Sequence, residues 1–148
     1  MITSQITLND IDLVYPLFDD YRQFYGKPSD LALAKSFLTE RILAKQSVIF
    51  LATTVDHKPL GFAQLFPAFS SVAAKSTFIL NDLYVAPSER KQGVATALIT
   101  AAEKHAEAAN AVRLTLSTAL TNKAAKALYE KIGWKQDNSF HVYHKQLI

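Results

Sequence analysis

Arg90-Lys91-Gln92-Gly93-Val94-Ala95 carries the most specific chemical signal in the chain. An apolar strand pattern, Ser76 to Val85, stops at Ala86-Pro87-Ser88, and a basic loop then leads into a helix that opens with glycine. Free N–H groups at a helix start, together with the helix dipole, attract anions. Arg90 and Lys91 add positive charge at the same spot. Gly93 lets a ligand come close to the backbone, and Ala95 is small for the same reason. A pyrophosphate needs this combination. The loop is neither a Gly-x-x-x-x-Gly-Lys phosphate loop nor a Gly-x-Gly-x-x-Gly dinucleotide fingerprint. A basic loop that only caps a helix would carry the same letters, so a ligand role rests on more than this loop.

Other places hold side chains with chemistry. Asn81 and Asp82 interrupt an apolar strand. Neighbours in a strand point to opposite faces, so the pattern lets only one of the two face a cleft. Asp82 reads either as a proton acceptor or as a satisfied structural carboxylate. Asn122 stands where a helix begins and suits an N-cap. Tyr129 shares a helical stripe with Ala125, Leu128 and Ile132, which is the pattern of core packing. The histidines, His57, His105, His141 and His144, form no Ser/His/Asp arrangement. No His/Asp/Glu cluster has metal-ligand spacing, and no metal is expected.

The elements that must position these groups alternate along the chain. Ser4–Leu8 reads as a short strand. A helix follows from an Asn9-Asp10 cap, with Pro16 expected to kink or divide it. A second helix runs from about Ser29 to Lys45. Ser47–Val55 and Leu60–Phe66 read as a hairpin around Asp56-His57-Lys58-Pro59. Pro67–Lys75 reads as a loop, Ser76–Val85 as a strand, Gly93–Ala109 as a helix and Ala111–Ser117 as a strand. Asn122–Ile132 is helical with Gly133 after it, and Trp134 to Ile148 is expected to form one or two final strands. This order predicts a mixed α/β sheet with helices on both faces.

The chain has 148 residues and no cysteine, which fits one domain, 1–148, without disulfides or thiolate metal sites. Hydrophobic residues are 49% and charged residues 20%, which excludes a disordered chain. A net charge of +3 without a dense basic run suits an anionic cofactor and gives no case for nucleic acid. No apolar stretch reaches transmembrane length, so no membrane role is expected. The N-terminus lacks the pattern of a signal peptide, and a cytoplasmic location is the expectation.

Two segments together carry a resemblance. Arg90 to Ala95 matches the Arg/Gln-x-x-Gly-x-Gly/Ala signature of the GNAT N-acetyltransferases, and Leu83-Tyr84-Val85-Ala86-Pro87 is similar to their fourth strand. The later stretch from Thr121-Asn122 to Leu128-Tyr129-Glu130-Lys131-Ile132-Gly133-Trp134 resembles their Asn…Leu-Tyr-Glu-Lys-x-Gly-Trp/Phe segment. The element order agrees, so the resemblance covers nearly the whole chain. Tyr21…Phe24-Tyr25 and Gln64–Val85 are similar to the histone- and polyamine-type branch.

The resemblance implies a GNAT fold: a mostly antiparallel mixed sheet whose fourth and fifth strands splay apart. It implies acetyl-CoA as the donor, without a metal. Backbone of Leu83, Tyr84 and Val85 would pair with the pantetheine arm, and N–H groups from Arg90, Lys91, Gln92, Gly93, Val94 and Ala95 would hold the pyrophosphate. A backbone donor near Leu83 would stabilise the thioester oxyanion. Asn122 would contact the cofactor, and Tyr129 would protonate the departing thiolate. The acceptor would be a primary amine, of polyamine or amino-sugar type or a lysine side chain. An ammonium must lose a proton before it attacks. The polyamine branch has a candidate base, Glu, where this chain has Asn81, which leaves Asp82 or a water relay. Asp19, Asp20 and Asp30, with Tyr15, Tyr21, Phe24 and Tyr25, lie where the family often walls its acceptor site, and such groups suit a cation. They serve equally as core and solvated charges. A non-catalytic acyl-CoA sensor, or a protein-lysine or N-terminal acetyltransferase, would share the loop. Phe140 to Leu147 alternates like an edge strand and, with the family's frequent pairing, points to a homodimer.

Overall fold

A computed structural model describes residues 1–148. Strand β1 (Ile2–Gln5) is followed by a 3-10 turn at Leu8–Asp10, which Thr7 and Asp10 close as a reciprocal capping box. Helix α1 (Ile11–Phe24) then runs as one helix through Pro16. The expected division does not occur. Pro16 is exposed, and the carbonyl it leaves without an intrahelical donor belongs to exposed Asp12 in the first turn, open to solvent.

Helix α2 (Leu31–Leu43) is capped by Asp30, whose carboxylate accepts from Leu33 N at 3.0 Å. Asp19 secures the turn between the helices. Its Oδ1 accepts from Asp30 N at 2.8 Å, and its Oδ2 accepts from Ser29 Oγ at 2.7 Å and Gln23 Nε2 at 3.1 Å. The residue is only 2% exposed. These donors, the Ser29 hydroxyl foremost, hold its carboxyl below the ordinary value of 3.8. A depressed carboxyl stabilises the fold above the unfolded value and loses that contribution as pH falls through the folded one. The stability gap between the parent and Asp19→Ala, read from chemical denaturation, should therefore shrink as pH drops below 3.8. A gap that stays constant to the foot of the acid transition would refute this.

Strands β2 (Val48–Thr53), β3 (Pro59–Ser70) and β4 (Lys75–Val85) continue an antiparallel meander. The loop expected from Pro67 is instead strand as far as Ser70. Pro67 is tolerated because β2 pairs with β3 only as far as Leu65, so Pro67 meets a neighbour on one side alone, Phe78 of β4. Helix α3 (Val94–Ala108) follows, and β5 (Leu114–Thr115) closes the sheet in the order β1-β2-β3-β4-β5. β5 runs parallel to β4 and pairs only at Phe78 and Ile79. The outer edge of β4 is left without a strand from Leu80 to Val85, the splay that the resemblance implies. The expected strand over 111–117 shrinks to two residues for the same reason.

The two faces of this sheet are covered differently. Val14, Leu17 and Phe18 of α1, with Ala34 and Leu38 of α2, pack on Ile49, Leu51, Phe62 and Tyr84. On the other face lie Leu98, Ile99 and Ala102 of α3, and the His105 ring stands 5.8 Å from Phe50 and 5.3 Å from Phe78. Each fully buried side chain of this size stabilises the fold by about 1.5–3 kcal/mol relative to exposure.

By contact density the chain divides into two compact units, Met1–Leu116 and Ser117–Ile148. The second holds helix α4 (Lys123–Lys131), capped by Asn122. Residues 135–148 form neither helix nor strand, so the final strands expected from their alternation are absent. Alternation supplies a face, but a strand also needs a neighbour for its backbone groups. No helix is long and apolar enough to cross a membrane.

Candidate active site

β4 owes its chemistry to one extra residue. Gln64 of β3 lies opposite Asp82, and Leu65 lies opposite Leu80, so Asn81 is unmatched. This is a β-bulge, and it turns the rest of the strand over. Phe78 touches His105 of α3, whereas the Tyr84 ring lies 6.2 Å from Tyr21 of α1. Residues six apart in a regular strand would share a face. Without the bulge Asp82 and Tyr84 would point toward α3; with it they point toward α1.

The bulge also corrects the expectation that only one of Asn81 and Asp82 can face the site. Asn81 Nδ2 donates to Asp82 Oδ1 at 2.8 Å, and Gln64 Nε2 donates to Asp82 Oδ2 at 2.5 Å. The Tyr21 hydroxyl donates to the Asn81 carbonyl at 3.3 Å. Asp82 is 2% exposed. Burial pushes its carboxyl above 3.8, and the donors from Asn81, Gln64 and Tyr21 partly oppose that. A buried carboxyl with a raised affinity for protons, held among uncharged donors, has the properties of a general base.

The loop after β4 is anchored to the same strand. Arg90 Nε donates to the Val85 carbonyl at 2.9 Å, and its guanidinium lies 5.6 Å from the Tyr84 ring centre and 5.8 Å from that of Phe24. Arg90 thus shapes the loop as well as charging it. Lys91 and Gly93 both have positive φ, 63° and 82°. Such turns point successive N–H groups inward as an anion-binding concavity. Gly93 stands at the start of α3 and offers no side-chain cap, so the first N–H groups of the helix are available to a ligand. Lys91, Gln92 and Gly93 are exposed, and Val94 is buried beneath them. Lys58 bonds Glu89 at 2.6 Å and steadies the 3-10 turn at Pro87–Glu89.

Leu83, Tyr84 and Val85 lie on the stretch of β4 whose outer edge β5 leaves unpaired. Gly61 lets β3 approach this stretch. A Cβ there would meet the Tyr84 carbonyl at 2.6 Å and Val85 Cα at 3.1 Å, both backbone. Of the three aspartates around the first two helices, Asp19 and Asp30 are engaged with backbone N–H groups. Asp20 is exposed, and partial burial together with Asp19 raises its carboxyl above 3.8. Phe24 and Tyr25 are more than half exposed beside it.

In the second unit Asn122 Oδ1 accepts from Ala125 N at 3.2 Å, the N-cap expected of it. Tyr129 is half-buried on α4, with its ring 6.2 Å from that of Trp134. Sequence reasoning passed over Gln64, although a lone amide inside the apolar run Leu60–Phe66 was the available signal. No group of three or more His, Cys, Asp or Glu side chains is placed to hold a metal ion.

The acetyltransferase (GNAT) family model matches residues 12–134. This chain belongs to the GNAT acetyltransferase family. It is 41% identical over 143 residues to an uncharacterized N-acetyltransferase, YhfO, of Bacillus subtilis (strain 168), covering 97% of this chain and 95% of that one. It is 30% identical over 113 residues to aminoglycoside N(6')-acetyltransferase type 1 of Klebsiella aerogenes, covering 75% and 74% of the two chains. A crystal structure described as that of a probable acetyltransferase superposes with a TM-score of 0.95 at 42% identity, covering 100% of this chain and 99% of that one. GNAT acetyltransferases take acetyl-CoA as co-substrate. The protein is an acetyltransferase with an acceptor substrate.

Proposed function

We propose that the chain acts as a single N-acetyltransferase domain that moves the acetyl group of acetyl-CoA to a primary amine of a small, cationic molecule. The observation that carries this is the continuity of the unpaired β4 edge, Leu83 to Val85, with the loop from Arg90 to Ala95. The edge offers backbone groups to the amides of a pantetheine arm, and the loop offers N–H groups and two cations to its pyrophosphate. A family match that extends to residue 134 supports one working domain.

The reaction takes two protons from the nitrogen and gives one to the departing thiolate. Asp82 takes a proton from the ammonium, directly or through water, and frees the nitrogen lone pair. The nitrogen attacks the thioester carbonyl; the C–N bond forms, and a backbone donor near Leu83 stabilises the oxyanion. The C–S bond then breaks, coenzyme A leaves as a thiolate that takes a proton from the Tyr129 hydroxyl, and the second proton of the nitrogen passes through water to restore that hydroxyl while Asp82 returns its own to solvent. Asn122 contacts the cofactor while capping α4. Asp20, with Tyr21, Phe24 and Tyr25, favours a cationic acceptor. Similarity to an aminoglycoside acetyltransferase supports an amino sugar within that class, with polyamines as the companion class.

The test is release of the coenzyme A thiol from acetyl-CoA with polyamines, aminoglycosides, amino acids and a lysine peptide. Release with one small-amine class, slowed about tenfold or more in Tyr129→Phe, upholds the reading. Release with the peptide alone makes the enzyme a protein acetyltransferase. Binding of acetyl-CoA without release to any amine makes it a sensor. We also propose a homodimer, because Phe140, Val142, Tyr143, Leu147 and Ile148 expose apolar surface in one short segment. Light scattering should give twice the 16.4 kDa of the chain, and a monomer at micromolar concentration would exclude it.

A further inference from the structure

Gln64 is the unexplained residue of the β4 cluster. It is fully buried, in a strand whose neighbours Phe62, Ala63 and Leu65 are also buried and apolar. A buried amide must find partners at both ends or be destabilising. Nε2 has one, Asp82 Oδ2 at 2.5 Å. Oε1 has none in the protein. A purely structural amide would be satisfied at both ends, and an apolar residue would fill the site without this cost.

The unpartnered oxygen gains a purpose if Asp82 exists in two protonation states. An ionised carboxylate can only accept, and a protonated one must also donate. The terminal torsion of glutamine is broad and roughly two-fold, so turning the amide end for end exchanges its nitrogen for its oxygen at nearly the same place. We infer that Gln64 is the positioning residue for Asp82, donating through Nε2 when the carboxylate is ionised and accepting through Oε1 when the carboxyl carries a proton. Asn81 holds the other carboxylate oxygen at 2.8 Å, which keeps the group oriented while Gln64 turns. The side chains that act on Asp82 are Gln64 of β3, Asn81 of its own strand and Tyr21 of α1, all uncharged. The proton on Asp82 is therefore governed by hydrogen bonds and burial rather than by an ion pair.

The inference rests on the reading of Asp82 as the base, and the experiment separates the two. Asp82 would be titrated by NMR through its carboxyl carbon, assigned by loss of the signal in Asp82→Asn. In the parent, the Gln64 side-chain NH2 resonances should shift with the same midpoint as the Asp82 carboxyl carbon. A hydrogen bond to the charged form is the stronger of the two, so removing the amide should favour the protonated state. In Gln64→Met the midpoint should rise by roughly half to one pH unit, and the acid limb of kcat/KM should rise with it while KM for acetyl-CoA holds. Gln64 resonances that ignore the titration in the parent, a measurement needing no variant, would overturn the inference. So would an unmoved or lowered midpoint in a folded Gln64→Met protein. If the NMR results hold but Asp82→Asn keeps its activity and its acid limb, Gln64 positions Asp82 and the base lies elsewhere.

Discussion

Deletion of Asn81 should leave the chain unable to fold, whereas Asn81→Ala should fold and lose only a few degrees of melting temperature. The difference lies in residue count. Asn81 is the unmatched residue between the pairs Leu65–Leu80 and Gln64–Asp82. Removing it forces one half of β4 to turn over. Either Asp82 and Tyr84 move into the packing of α3, or Phe78 and Leu80 move out of it. Overpacking costs about 1–3 kcal/mol, and stripping partners from a buried charge costs about 3–5 kcal/mol. A domain has only about 5–15 kcal/mol in total. Alanine keeps the count and removes one hydrogen bond to a charged group, a loss of about 1.5–3 kcal/mol. Circular dichroism of the two proteins decides the matter. A deletion protein that melts cooperatively near the parent's temperature would show that the bulge does not set the faces of β4.

Asp82→Asn should lower kcat/KM by about 10²–10⁴, the usual contribution of a positioned acid or base, without weakening the fold at neutral pH. Asparagine keeps the shape and removes the proton acceptor. The stability effect has a definite sign. Burial raises the Asp82 carboxyl above its unfolded 3.8. Holding it ionised is then unfavourable to the native state at high pH. That penalty is relieved as pH falls through the folded value toward 3.8. The variant should therefore be at least as stable as the parent at pH 7, with the gain vanishing in acid. In the parent, activity should fall on the acid side as Asp82 takes up its proton. Activity within about threefold of the parent, together with lost stability, would make Asp82 a structural carboxylate.

Much of this was legible in the residues because it is local. The loop from Arg90 to Ala95 announces itself by spacing, and a helix start needs only its own neighbours. Asn122 was readable as a cap for the same reason. The bulge was half legible. Two polar residues in an apolar strand mark a special place, but register is decided by the partner strand. Gln64 became meaningful only once β3 lay beside Asp82. Pro67 misled because its tolerance depends on which side of β3 is unpaired. The last segment misled because Phe140 to Leu147 has the alternation of a strand and no strand beside it.

Arg90 has a further consequence. One guanidinium grips the end of β4 through the Val85 carbonyl and lies over Phe24 at the last residue of α1. The guanidinium is thus a lever between the loop and the helix that carries Asp20 and Tyr21. Two ligands that share such a lever are thermodynamically linked, and the linkage is reciprocal. Whatever factor a ligand on the loop gains in affinity from a ligand beside that helix, the second must gain from the first.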